Sequence, residues 1–201
     1  MATEIFEQTW WENNLNDEQR FNDYLGWLGD ENSNSRIFIK DNIKDLQIKS
    51  IADFGCGPCV DYVSLKNDEY EFDYMGVDSC SHLKEYNESR GIPFTCAPVE
   101  KTGLDANSYE LSYSRHLFEH LPSYKDGLKE MIRVASKYVV HIFFIKPSDD
   151  EEINYWDEEN LYHNKYSKKD IETYLKRNKK VQSFEWIDIN DKENALVITL
   201  V

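Results

Sequence analysis

The sequence predicts an α/β fold: a doubly wound sheet of seven strands, five parallel βα units closed by an antiparallel C-terminal hairpin. Three observations carry that expectation. From Ile48 onward, apolar runs of strand length alternate with amphipathic helical stretches, the pattern of βαβ units. The run Tyr138 to Ile145 is nearly continuous in apolar residues, as a strand buried on both faces requires. The last two strand-like runs, Val181 to Ile189 and Ala195 to Val201, are joined only by Asn190 to Asn194. So short and polar a connection fits an antiparallel pair.

The elements follow in order. Between Thr3 and Leu28, the spacing of Phe6, Trp10, Leu15, Phe21, Leu25 and Leu28 predicts one or two helices, with a break around Asn13-Asn14. Gly29 to Ser35 reads as a loop, and Arg36 to Leu46 as a short helix. Strands are expected at Ile48–Phe54, Phe72–Val77, Ile92–Ala97 and Tyr109–Ser114, with helices at Val60–Leu65, Ser81–Ser89 and Tyr124–Val134. A helix starting near Ser167 runs to about Asn178. The stretch 147–166 is longer than an ordinary connection; it combines acidic residues, including Asp157-Glu158-Glu159, with Trp156, Tyr162 and His163. It is expected either as a lid or as a solvated acidic loop. This organisation divides the chain into an N-terminal helical cap, 1–47, and a main domain, 48–201.

Composition narrows the class. Lys and Arg number 23 against 38 Asp and Glu, a formal charge of −15 over 201 residues. That field opposes sequence-independent binding of nucleic acid and of anionic membranes. There is no apolar run of membrane-spanning length and no signal-peptide pattern at Met1, so a cytoplasmic protein is expected. The four cysteines, Cys56, Cys59, Cys80 and Cys96, are read as small loop residues rather than as a metal or redox set. All are expected to ring one pocket, since each follows or ends a strand.

That pocket is the informative feature. Parallel sheets bind ligands beyond the carboxyl ends of their strands, where the strand order reverses. The first strand ends in Asp53-Phe54-Gly55-Cys56-Gly57 and the second in Asp78. A dinucleotide fingerprint wants a third glycine where Val60 stands, and a carboxylate at Asp53 opposes a pyrophosphate while suiting an amine-bearing ligand. Asp78 is placed to accept from both hydroxyls of a ribose.

Ile51 to Gly57, Met75 to Asp78 and Ser108 to Leu121, with its Glu119-His120-Leu121 turn, resemble successive motifs of class I S-adenosylmethionine-dependent methyltransferases of types 11 and 12. The resemblance covers about 48–201 and implies a Rossmann-like fold with S-adenosylmethionine as cofactor and S-adenosylhomocysteine as product. It implies Asp53 near the methionine amino group, with Gly55 and Gly57 allowing close approach. It further puts Asp78 on the ribose diol, Ser79 beside the adenine and the Val99 amide on the adenine ring. Ser114 and Arg115 would face the methionine end and the methyl group. Two departures, Cys59 for a frequent glycine and Pro98 for a frequent aspartate, alter the loop and remove one contact to the adenine amine.

His116, next to Arg115, is the expected proton acceptor; Glu119 and His120 are read as structural turn residues. If the turn were helical, His116, Glu119 and His120 would share a face, and with His163 they form an alternative metal set; no metal is assigned. Trp10, Trp11, Trp156, Tyr162 and His163 are candidates to enclose a small acceptor, with ordinary packing as the competing reading for the two N-terminal tryptophans. The alternatives are a methyltransferase of protein or RNA, and a non-catalytic subunit that retains the fold.

Overall fold

A computed structural model describes residues 6–28, 30, 32–156 and 161–201, with no side-chain description for 6–10, 27 and 28. The acidic run Asp157-Glu158-Glu159 and the side chain of Trp10 lie outside the described residues. The chain enters through helices α1 (Phe6–Leu15), α2 (Glu18–Leu28) and α3 (Asn34–Asp45). It then alternates: β1 (Ser50–Phe54), α4 (Val60–Asn67), β2 (Asp73–Asp78), α5 (Ser81–Ser89), β3 (Phe94–Cys96), β4 (Tyr109–Arg115), a 3-10 turn (Phe118–His120), α6 (Tyr124–Val134) and β5 (Ala135–Phe143). A two-stranded insert, β6 (Tyr155–Trp156) and β7 (Leu161–Tyr162), precedes α7 (Lys168–Arg177), β8 (Val181–Asp188) and β9 (Asn194–Leu200).

The seven-stranded sheet has the order β3-β2-β1-β4-β5-β9-β8. The first five strands are parallel, and β9 enters antiparallel between β5 and β8, as expected from the short polar connection. Each face carries its own core. One packs Ala52, Phe54 and Val139 against Leu128 and Met131 of α6 and Ile171 and Leu175 of α7. The other packs Ile51, Leu111 and Ile142 against Ile39 and Ile43 of α3, Leu65 of α4 and Leu83 of α5. Burial of both faces gives β5 its unbroken apolar run.

Three details depart from expectation. The break between the first two helices falls at Asn16-Asp17, because Asp17 accepts the Arg20 amide at 2.9 Å and so caps α2. No helix forms between β3 and β4. That crossover is instead tied down by Glu130, which accepts from the Thr102 amide and hydroxyl at 3.0 and 2.7 Å while Arg133 binds both Glu130 and the Leu104 carbonyl. The third strand is only three residues long for the same reason: the chain leaves it for an anchored loop.

The insert is a pinned hairpin at its base. Buried Asn164 donates to the Leu121 carbonyl at 2.7 Å and accepts the Asn154 amide at 2.9 Å, and the Tyr166 hydroxyl donates to the Leu121 carbonyl at 2.6 Å. At the other side, α1 docks onto α5. The residue before α5 is Cys80, which supplies no side-chain cap, and Glu12 substitutes, accepting the Ser81 amide at 2.6 Å and its hydroxyl at 2.9 Å. No helix among the described residues is long and apolar enough to cross a membrane.

Candidate active site

The order reverses between β1 and β4, which puts the crevice above the carboxyl ends of β1, β2 and β4. The loop leaving β1 is tight. The amides of Gly55 and Cys56 both donate to the Val77 carbonyl, at 2.7 and 3.2 Å. Gly55 has φ +67°, and a Cβ there would stand 2.8 Å from Leu117. The turn into α4 passes through Cys59 at φ +53°. A Cβ on Gly76 of β2 would meet the Cys56 and Cys59 sulfurs at 2.8 and 3.0 Å, so both thiols pack down on that bare stretch of backbone. The expectation that all four thiols ring the pocket is corrected accordingly. Cys59 and Cys80 are fully buried as packing atoms, Cys56 is half-buried, and Cys96 is exposed at the edge strand.

Asp78 faces the loop. One carboxylate oxygen accepts the Gly57 amide at 3.1 Å and the other the Cys80 amide at 3.0 Å, leaving each oxygen a further lone pair. Burial raises its pKa, and those amides oppose the rise. Half-buried Ser79 follows it. Asp53 is buried on the other side of the loop and accepts from the Tyr74 hydroxyl at 2.8 Å. Burial and then Asp61 push its pKa up to about 7 against Tyr74, Arg36 and Arg115. Asp61 itself is held by Arg36 at 2.6 Å. Val99 packs its side chain into the core beside Phe118, while its amide donates to nothing among the described residues.

Beyond β4 the chain turns sharply at His116, φ +54°, an uncommon conformation for a residue with a Cβ. Its Nε2 lies 2.7 Å from Glu193 and its Nδ1 3.1 Å from Nη1 of Arg115. A guanidinium only donates, so Nδ1 accepts and Nε2–H donates to the carboxylate. Both nitrogens are therefore engaged, which corrects the expectation of His116 as a free proton acceptor: it steers Arg115 instead. Glu193 is held down to about 2 by the bond from His116 first, with Asn190 and Ser35 adding to it against burial. Arg115 makes no ion pair with a carboxylate among the described residues.

Ser114 is the second correction. Its hydroxyl is wholly buried, 2.6 Å from Nδ1 of His141 and 3.4 Å from the Met131 sulfur, so its side chain faces the core. His141 in turn lies 3.5 Å from Glu119, also fully buried. The other oxygen of Glu119 accepts the amides of Phe144 and Ile145 at 2.6 and 3.2 Å. Glu119 is thus a structural clamp, as the sequence suggests. The metal alternative fails on the same geometry. The turn is 3-10, Glu119 points inward, and no group of three metal-ligating side chains occurs among the described residues.

Residues 52–143 match the family of proteins described as "Methyltransferase domain". Over that stretch the chain is similar to S-adenosylmethionine-dependent methyltransferases. Among curated proteins, none matches it in sequence. Solved structures share its fold. The 1,6-didemethyltoxoflavin-N1-methyltransferase of Burkholderia thailandensis, solved with 1,6-didemethyltoxoflavin and S-adenosylhomocysteine, superposes with a TM-score of 0.68 at 12% identity over 100% of this chain and 92% of that one. A possible histamine N-methyltransferase of Thermotoga maritima gives 0.64 at 13% identity, covering 96% and 99%. A putative O-methyltransferase of Nostoc punctiforme gives 0.63 at 12%, covering 81% of this chain and 54% of that one.

The residues present fit the methyltransferase cofactor. Asp78 retains acceptor capacity for two hydroxyls, the glycine loop admits backbone approach, Asp53 offers a carboxylate to an ammonium, and Arg115 is a cation with no carboxylate partner among the described residues. Sequence reasoning missed Glu193, Tyr24 and Phe144. Glu193 has a topological signal: an antiparallel hairpin beside β5 must place its turn at the crevice end of the sheet. Tyr24 of α2 packs on Trp11 at 5.5 Å, and its pKa is pushed well above the ordinary value by burial and then by Asp78, Cys80 and Cys56, with Arg115 opposing.

Proposed function

We propose that this protein transfers a methyl group from S-adenosylmethionine to an oxygen or nitrogen atom of a small-molecule acceptor in the cytoplasm. The observation that carries this reading is the character of the crevice mouth. At this end of the sheet the rings of Trp11, Tyr24, His120, Phe144 and His163 form a chain of contacts, and Phe144 meets His116 next to Arg115. Small organic acceptors are recognised by apolar, concave walls with few polar groups. The three structural neighbours named above are titled as enzymes of the same general kind, two of them with named small acceptors.

In this reading α1 and α2 form the cap, and the insert 147–166, whose β7 meets α1, is the lid beside it. Asp78 binds the ribose diol, Asp53 the methionine ammonium, and Arg115 the methionine end, steered by His116. Ser79 and the Val99 amide meet the adenine. When bound, S-adenosylmethionine supplies an electrophilic methyl on a sulfonium; the protein contributes alignment and proton removal.

The test is transfer of radiolabelled methyl from S-adenosylmethionine into a cell extract separated by size. Label in the small-molecule fraction is expected. Label in protein or RNA would replace this reading with a macromolecular acceptor, and no transfer despite tight S-adenosylhomocysteine binding would leave a non-catalytic subunit.

A further inference from the structure

Resting on the reading of a small acceptor, the geometry points to a flat, aromatic one, carrying an ionisable O–H or N–H, held in the ring set of Trp11, Phe144, Trp156 and His163 with its proton taken by His120 Nε2. His120 differs from the other histidines of this region in what its nitrogens do. Its Nδ1 lies 2.9 Å from the Tyr162 carbonyl oxygen, which only accepts, so Nδ1 carries the hydrogen and Nε2 the lone pair. Nε2 has no hydrogen-bond partner among the described residues. His116 has both nitrogens engaged, and His141 is sealed in the core. His120 alone of these three is pre-oriented with an open acceptor atom. Burial lowers its pKa, with Tyr162 and Glu119 opposing and His163 and His116 reinforcing.

Three separate elements bring rings to it, and a fourth adds one behind His163. Trp11 of α1 approaches edge-on at 6.2 Å, Phe144 after β5 at 5.2 Å, and His163 after β7 edge-on at 5.0 Å. Trp156 of β6 stacks on His163 at 3.8 Å while remaining 47% exposed. The set is continuous with the residues at the crevice end of β4. Phe144 also touches His116 at 5.2 Å, next to Arg115, and Trp11 touches Tyr24 of α2 at 5.5 Å. Among the described residues, two carboxylates close to this set are already engaged: Glu119 turns inward to two amides and Glu193 is bound to His116. An aliphatic cation would call for a free carboxylate; a flat ring calls for the edges and faces presented here.

The step balances. The acceptor's proton forms an N–H bond with Nε2, and its freed electron pair forms the bond to the methyl carbon. The carbon–sulfur pair stays on sulfur, and the imidazolium returns its proton to water.

The test uses the protein saturated with S-adenosylhomocysteine and titrated with 7-hydroxycoumarin, with cyclohexanol and N-methylpiperidine as controls. Calorimetry is expected to show coumarin binding alone, weakened at least tenfold by Trp156→Ala. Nitrogen NMR of the histidine rings, assigned with His120→Asn, is expected to show Nδ1–H in the free protein and a shift at Nε2 on binding. The same His120→Asn variant keeps its S-adenosylhomocysteine affinity and loses about 100-fold in transfer to the small-molecule fraction. Coumarin that fails to bind or leaves Nε2 unmoved, or tighter binding of the aliphatic amine, overturns the proposal while the small-acceptor reading stands. Label found only in macromolecules removes both.

Discussion

Adjacent residues at the end of β4 lead into two histidine–carboxylate pairs with opposite fates. Ser114 turns inward to His141 and Glu119, all three wholly enclosed; Arg115 turns outward to His116 and Glu193 at the crevice. On paper the inner trio looks the more catalytic, a hydroxyl, an imidazole and a carboxylate in line. No substrate reaches it. Burial lowers the His141 pKa, and Glu119, opposed by its own burial, is held below its ordinary value by that imidazole. Approach, more than residue type, separates a scaffold from a site.

The comparison is broken most directly at the carboxylates. Glu119→Ala leaves two amides and a histidine without a partner in the core and is expected to cost about 3–5 kcal/mol, read by urea unfolding. Glu193→Ala, at the half-open mouth, is expected to cost about 1 kcal/mol while lowering transfer. Equal destabilisation by both would erase the distinction.

Asp53 sharpens it through pH. Its folded carboxyl holds a proton up to about 7, against 3.8 as the ordinary value. Folding therefore takes up a proton between those values, and stability falls as pH rises through that window, by up to about 4 kcal/mol. Unfolding from pH 4 to 8 is expected to show the decline, and Asp53→Asn to flatten it. A ligand ammonium stabilises the charged form, so cofactor binding near pH 7 releases protons, measurable by calorimetry in buffers of different ionisation enthalpy.

Asp78→Ala is expected to weaken S-adenosylhomocysteine about 100-fold, since two hydrogen bonds to a charged group are lost, with the fold retained. The smallest effect belongs to Ser114→Ala, about 1 kcal/mol of stability and no change in cofactor affinity. A loss of affinity there would return Ser114 to the crevice.

Much of this architecture was legible in the sequence because periodicity reports burial. The helices over Ser81–Ser89 and Tyr124–Val134 start and stop where their patterns do. Asp53, Gly55, Gly57 and Asp78 could be placed because strand ends are marked by the sequence itself. Side-chain facing was harder. Ser114 pairs with Phe54 in the β1–β4 register and Tyr113 with Asp53, so Ser114 shares the face of Phe54; that inference needs the register, which one strand alone does not disclose. The bond from His116 to Glu193 spans 77 positions and depends on β9 lying beside β5. The tautomer of His120 is set by the Tyr162 carbonyl, a backbone atom no motif encodes.

The place of β9 between β5 and β8 has a consequence for folding. The charged mouth takes Glu193 from the turn just before the last strand, and that strand fills an interior slot of the sheet. The bond that ties His116, and through it Arg115, to Glu193 therefore forms only once β9 is seated beside β5, so that end of β4 is completed by the last strand to join the sheet and not by its own neighbours in sequence.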